Sequence, residues 1–419
     1  MLVYGAAMLQ RTLTDNVLAA LGDTPVVALH GARQTGKSTL AKAIADTLHP
    51  AAYYTLDDAP VLAAATDDPA AFIAGLAGSV VLDEIQRAPG LLLAVKASVD
   101  RDRAPGRFLL TGSAQLMALP RLADTLAGRV EIFTLHPFTQ GELAGVRETF
   151  VERAFSVEPG LTVPAEVTPA PQLRERLAAG GYPEAVNRTN ATRRAAWFRS
   201  YVATATERTV RDVAEIAGLT DLRRLLAALA YRSGSLANVA DLSRTLAVPQ
   251  TTLKRYLALL EIAFLVRRLP AWSANLTSRL SKTAKIVVTD SGLLCHLLGA
   301  DERRMAEEPM QFGQVLENFV VNEIDRQAAW SAVPVRLLHY RTHAGREVDL
   351  VLEDERGRIV GIEVKSTASP ATSDFAGLRS LAEAAGERFH RGVLLCLADT
   401  AVPFGQRLQT LPVSALWDG

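Results

Sequence analysis

The chain has 419 residues, with 45 Lys+Arg set against 45 Asp+Glu and hydrophobic residues at 49%, which leaves room for two or three domains of about 100 to 200 residues each. The even charge gives no overall basic surplus for nucleic acid or an anionic membrane, so any such site is local. Cys295 and Cys396 stand far apart and offer neither a disulfide framework nor a zinc spacing.

The opening MLVYGAAMLQRTL has no basic start before an apolar core, and nowhere do about 18 uncharged apolar residues run together. A cytoplasmic protein without a membrane span is expected, with Met8 read as its biological start. From Thr24 to Val130 short apolar runs alternate with polar or glycine-rich turns, the pattern of buried parallel strands alternating with helices. The candidate strands are PVVALHG, AAYYTLD, SVVLDE, RFLLTGS and VEIFTL. Residues 1–150 are read as this first domain. Over residues 151–171, Pro159, Pro164, Pro169 and Pro171 with little periodicity predict an exposed connector.

Residues 172–300 turn largely helical. Within them NVADLSRTLAVPQTTLKRYLALLEIAFLVRRL reads as a short helix, a turn at Val248 and Pro249, a second helix and a strand, which is a helix-turn-helix with a wing. Residues 301–419 change again: an amphipathic helix, GQVLENFVVNEI, precedes the extended runs EVDLVLED and RIVGIEVKS. The whole is expected to be an α/β multidomain protein.

The segment GARQTGKS fits G-x-x-x-x-G-K-[ST] and lies between a strand-like and a helix-like run. ATP is the expected ligand, bound by Gly31, Ala32, Arg33, Gln34, Thr35, Gly36, Lys37, Ser38 and Thr39, because converging backbone amides and a helix N-terminus suit phosphate. Lys37 would reach the β- and γ-phosphates and Ser38 would ligate magnesium. In SVVLDE, Asp83 would hold the same ion and Glu84 would act as general base. Thr111 and Ser113, ending RFLLTGS, are candidates for contact with the γ-phosphate or the attacking water. Arg129 is expected near the ligand-binding edge of the sheet, either as an arginine finger toward a neighbouring subunit of a homo-oligomer or as a structural ion pair. Asp57 is a weaker candidate at the site's edge.

In the helix-turn-helix, Gln250, Thr251, Thr252, Lys254 and Arg255 begin the second helix, where DNA would be met. Arg267, Arg268, Arg279, Lys282 and Lys285 would add positive charge in the wing; a packing module is the alternative. In the C-terminal part, Glu363 and Lys365 face the same side of a strand. Pairing around the turn would bring Asp349 alongside, with Glu317 available from the preceding helix. Carboxylates sharing a divalent ion beside a lysine could hydrolyse phosphodiesters; a hairpin with solvated charges is the bland alternative. No GxSxG or Cys/His pairing supports nucleophilic chemistry.

Taken together, GARQTGKS, VVLDEIQ, LLTGSAQ, LAGRVEIFTLHPF, GGYPEAV, TDSGLL, LENFVVNEI, EVDLVLE and IEVKS resemble a family of prokaryotic AAA-type P-loop ATPases with a C-terminal domain of unknown function similar to PD-(D/E)xK nucleases. The resemblance covers most of the chain. It implies an AAA-type core, a helical lid with winged helix, and a restriction-nuclease-like last domain, with ATP and magnesium at the P-loop. It also implies a metal site for magnesium or manganese at Glu317, Asp349 and Glu363, with Lys365 catalytic. Ser366 follows Lys365 where some active relatives carry glutamine. The leading expectation is an ATP hydrolase that engages DNA and cuts it; the alternatives are a nucleotide-controlled DNA- or protein-binding switch whose last domain is inactive, or a ring-forming ATPase that remodels partners.

Overall fold

The computed structural model describes residues 3–4, 7–8, 10–112, 125–157, 161–213, 218–275, 277, 279 and 282–418. These divide into two compact units, residues 1–138 with 262–264, and residues 139–261 with 265–419.

The first unit is built on five strands, β1 (Val26–His30), β2 (Ala52–Thr55), β3 (Val80–Asp83), β4 (Phe108–Thr111) and β5 (Val130–Thr134). They form one sheet in the order β2-β3-β4-β1-β5, and every pairing is parallel. The apolar runs explain this: β3 and β4 are buried along their whole length, as strands covered on both faces must be. Helix Leu91–Arg101 turns Leu91, Leu92, Ala94, Val95 and Val99 inward onto a core that includes Val26, Ala28, Leu82 and Leu110. Each buried Val or Leu side chain among these stabilises by roughly 1.5–3 kcal/mol. Helix α1 (Lys37–Ala43) leaves the carboxyl end of β1, at the edge where open parallel sheets bind ligands. All five expected strands are present.

The second unit contains the expected helix pair, α2 (Val239–Leu246) and α3 (Gln250–Ile262, its last residue in the first unit), followed by β6 (Val266–Leu269) paired antiparallel with β7 (Lys285–Val288). Helix α4 (Pro309–Ala328) precedes a five-stranded sheet of β8 (Val335–Arg341), β9 (Glu347–Asp354), β10 (Ile359–Val364), β11 (Phe389–Cys396) and β12 (Leu408–Pro412) in that order. The first three strands run antiparallel and the last three parallel, with α5 (Ala376–Ala385) packed on the sheet through Leu378 and Leu381.

The first residues of the segment read as an exposed connector differ from that reading. Residues Phe150–Phe155 form a helix whose Phe150, Val151, Ala154 and Phe155 are buried, because the apolar positions at i, i+1, i+4 and i+5 make one face. The prolines dominated the sequence signal beyond it.

A buried charge network ties three of the sequence motifs together. Asp290 caps the helix Ser291–Leu298 by accepting the Leu293 N–H at 2.9 Å, accepts the Gly181 N–H at 2.7 Å, and pairs with Arg326 at 3.2 Å. Gly180 has φ +68, and a Cβ there would lie 2.3 Å from the Asp290 carboxylate, so GGY is the local form that admits this contact. Arg326 also pairs with Glu323 at 3.0 Å, Glu323 accepts the Gln140 N–H at 2.9 Å, and Glu148 accepts the Gly141 N–H at 2.6 Å. Burial, with Glu323 nearby, raises the Glu148 carboxyl to about 8; burial also raises Glu323 to about 7, against the pull of Arg326.

For carboxyls with raised folded-state pKa, the stabilisation is full below the unfolded value of about 4.3 and is lost as pH climbs through the folded one. Melting temperature is therefore expected to fall as pH rises toward about 8, and Glu148→Gln to flatten that fall. A thermal-unfolding series against pH checks it; an unaltered slope in the variant contradicts it.

Candidate nucleotide site

The phosphate loop fits between β1 and α1 because its glycines sit where no other residue would. Gly31 has φ +145, and a Cβ there would come 2.4 Å from the Leu135 carbonyl oxygen. Gly36 caps α1 at φ 94, and Gln34 also takes a left-handed conformation. Thr35 is fully buried and its hydroxyl donates to the Ala32 carbonyl at 3.0 Å. Lys37 folds back over the loop, donating to the Gly31 carbonyl at 3.1 Å and the Ala32 carbonyl at 2.7 Å. Burial lowers its pKa to about 8, opposed by Glu84 and Asp83. Triphosphate oxygens are stronger acceptors than these carbonyls, so this lysine is held where it can exchange partners.

Asp83, the last residue of β3, is the centre of the arrangement. Its Oδ1 accepts from Ser38 Oγ at 3.0 Å and also from the Thr111 hydroxyl. Its Oδ2 accepts from the Tyr53 hydroxyl at 2.7 Å. Three hydroxyls from α1, β4 and β2 thus aim one carboxylate, and burial, with the Asp83 bond, keeps Tyr53 protonated by raising its pKa. Ser38 and Asp83 offer adjacent hard oxygen donors, the donor type magnesium takes. Glu84 follows at φ 58, a left-handed conformation that costs a non-glycine residue on the order of 1–3 kcal/mol; its carboxylate accepts from the Gln86 amide.

The structure therefore gathers Gly31 through Thr39, Asp83, Glu84 and Thr111 at one edge of the sheet. Ser113 lies outside the described residues. Arg129 is a correction: it precedes β5, and its carbonyl accepts the Val26 N–H at the start of β1. In a parallel sheet that is the edge opposite the phosphate loop. There it pairs with Asp100 at 2.5 Å. Asp57 is taken up by Arg87 at 2.5 Å. Sequence reading missed Tyr53 and Gln86; the signal for Tyr53 was its register, since β2 runs beside β3 with Thr55 opposite Asp83.

In the second unit, Gln250, Thr251, Lys254 and Arg255 are exposed on the first turns of α3, with Thr252 half-buried. The cations expected in a wing are largely committed elsewhere. Arg267 pairs with Asp325, Arg268 with Glu261 at 2.7 Å, and Arg279 with Glu353 at 2.5 Å. Lys285 is 2% exposed and cannot meet a DNA backbone; its ammonium lies 2.9 Å from Glu317 and 3.2 Å from Asp349. Asp349 also accepts the Val364 N–H at 3.0 Å, and Glu363 pairs with Lys365 at 2.7 Å. The expected residues thus assemble, around a lysine. Among the described residues no group of three His, Cys, Asp or Glu is arranged to hold a metal ion, and no helix is long and apolar enough to cross a membrane.

If Tyr53 aims Asp83, Tyr53→Phe removes a hydrogen bond to a charged group, an effect of about 1.5–3 kcal/mol. The magnesium concentration for half-maximal ATP turnover is then expected to rise by roughly tenfold or more. A magnesium titration of steady-state turnover checks this, and an unshifted midpoint contradicts it.

Comparison with known proteins adds the family. Residues 23–144 match the AAA domain family, 170–304 a domain of unknown function (DUF8612), and 312–416 a second domain of unknown function (DUF4143). Uncharacterized proteins of Mycobacterium tuberculosis and Mycobacterium bovis are each 34% identical over 365 residues, covering 87% of this chain and 75% of the relative. An uncharacterized protein of Haemophilus influenzae is 25% identical over 264 residues, covering 59% of this chain and 57% of its own. Among solved structures, a Walker-type ATPase of Pyrococcus abyssi aligns at TM-score 0.41 and 15% identity, covering 70% of this chain and 96% of that one. A RuvB protein of Thermotoga maritima aligns at 0.28 and 22%, covering 61% and 87%. The chain belongs to the family of these mycobacterial proteins and carries a P-loop ATPase domain of the AAA type.

Proposed function

We propose that this protein hydrolyses ATP and that its nucleotide state governs engagement of DNA, with the C-terminal domain serving recognition rather than cleavage. The observation that carries the first part is Asp83, fixed by Ser38, Thr111 and Tyr53 beside a lysine already folded over the phosphate loop. On arrival of the triphosphate, Lys37 exchanges two backbone carbonyls for phosphate oxygens. The loop amides cradle the phosphates, and Glu84 is the group able to accept a proton from the attacking water. Ser38 and Asp83 would hold magnesium, which would supply charge neutralisation to the triphosphate. Arg129, at the far edge and paired with Asp100, lends no support to a finger shared between subunits.

DNA engagement is supported by the exposed Gln250, Thr251, Lys254 and Arg255 at the start of α3, the end of a recognition helix that meets base edges and phosphates. The support is local, since the paired arginines of the following strand add little free charge. The cutting alternative draws on the Glu363–Lys365 pair and the neighbouring Asp349, yet the cation found between Asp349 and Glu317 is Lys285.

The test uses the purified full chain. Lys37→Ala is expected to abolish ATP turnover. Lys254→Glu with Arg255→Glu is expected to weaken duplex binding by about tenfold or more in fluorescence anisotropy and to lower the salt slope by roughly one for each phosphate no longer neutralised. Turnover retained by Lys37→Ala, or affinity unmoved by the double variant, contradicts the respective part; cutting of plasmid by the parent with magnesium or manganese contradicts the last.

A further inference from the structure

We infer that Lys285 is the resident cation of the C-terminal carboxylate cluster: its ammonium stands where a divalent ion would bind, and the centre excludes metal for as long as that lysine is in place. This deepens the reading of the last domain as a non-cutting module, and its test is independent of ATP turnover and DNA binding.

Three carboxylates converge here from three elements, Glu317 from α4, Asp349 from β9 and Glu363 from β10. Four of their six oxygens accept hydrogen bonds from the chain's own N–H donors. Glu317 Oε1 and Asp349 Oδ1 take Lys285 Nζ at 2.9 and 3.2 Å. Asp349 Oδ2 takes the Val364 amide at 3.0 Å, and Glu363 Oε1 takes Lys365 Nζ at 2.7 Å. Glu363 Oε2 is buried without a hydrogen-bond partner. A divalent ion needs several oxygens at about 2.0–2.6 Å around one point, and the point shared by Glu317 and Asp349 already holds an ammonium. The cluster as built does not fit a metal.

Lys285 is held at its backbone and covered at its side chain. Its backbone lies in β7 opposite Leu269 and bridges Leu236 on the other side, and its side chain is 2% exposed. Glu317 needs the glycine beside it: at Gly234, φ +82, a Cβ would come 2.9 Å from the Glu317 carboxylate oxygens. A compact ammonium with three donors suits this position, where arginine's wide planar fork would not. The chain places a lysine there although it uses arginine almost everywhere else. The pairing joins the strand pair that follows the helix-turn-helix to the last domain, within one compact unit.

The inference predicts that removing the ammonium creates a metal site. Manganese binding to the full chain without nucleotide, counted by electron paramagnetic resonance, is expected to be weak in the parent and unchanged by Glu317→Gln. Lys285→Met is expected to bind one additional manganese per chain, at least about tenfold more tightly than the parent. Adding Glu317→Gln to that variant should abolish the gain. Lys285→Gln, which keeps a polar group against the carboxylates, is the second variant should the methionine form fail to fold. Tight manganese binding by the parent that Glu317→Gln removes would overturn the inference. So would folded Lys285 variants that bind no more manganese than the parent.

Discussion

A carboxylate in a protein interior is stable only where donors surround it, and this constraint organises the first unit around Asp83. The residue ends a strand that is buried along its length, so its side chain emerges at the sheet edge with little water to serve it. Ser38 at the start of α1, Thr111 at the end of β4 and Tyr53 on β2 supply the missing partners. Their positions follow from the parallel pairing of β2, β3, β4 and β1. The same edge holds the phosphate loop, whose Lys37 is parked on two carbonyls. The geometry of the candidate site and the strand register are therefore one property of the sheet.

The second unit meets the same constraint with cations. Asp290 and Glu323 share Arg326, and Glu317 and Asp349 share Lys285. Glu323 and Arg326 are neighbours on α4, whereas the pairs Asp290–Arg326, Glu317–Lys285 and Asp349–Lys285 connect segments far apart in sequence; each would be costly to break from one side because it leaves an unpaired buried charge. The motifs GGYPEAV, TDSGLL and LENFVVNEI meet in the first network, which gives them a structural role: Gly180 and Gly181 admit Asp290, and α4 carries Glu323 and Arg326 to it. Glu148 and Glu323 retain protons above the usual carboxylate range because burial dominates their surroundings.

Much of the nucleotide site was legible in the residues alone. GARQTGKS and SVVLDE state their geometry through glycine spacing and apolar runs, and the five strands follow from buried periodicity. Arg129 was misplaced because a residue's nearness to a strand says nothing of which end of a parallel sheet it occupies until chain direction is considered. Tyr53 was hidden because a tyrosine in an apolar strand reads as packing. Lys285 was assigned to a DNA-facing wing because charge suggests solvent, and only its partners, 32 and 64 residues further on, show otherwise. The buried helix Phe150–Phe155 was masked by the prolines that follow. For Arg129, Tyr53 and Lys285 the deciding contact is distant in sequence, where local pattern carries no information.

Asp83 is the residue proposed to couple the phosphate loop to ATP hydrolysis. Its most direct test is steady-state ATP turnover by Asp83→Asn beside the parent, across a magnesium titration. The substitution keeps the shape of the side chain and removes its charge. Loss of turnover by about a hundredfold or more, at the scale of removing a principal electrostatic contributor to a transition state, is the predicted result. Turnover within about twofold of the parent at the same magnesium concentration would contradict it.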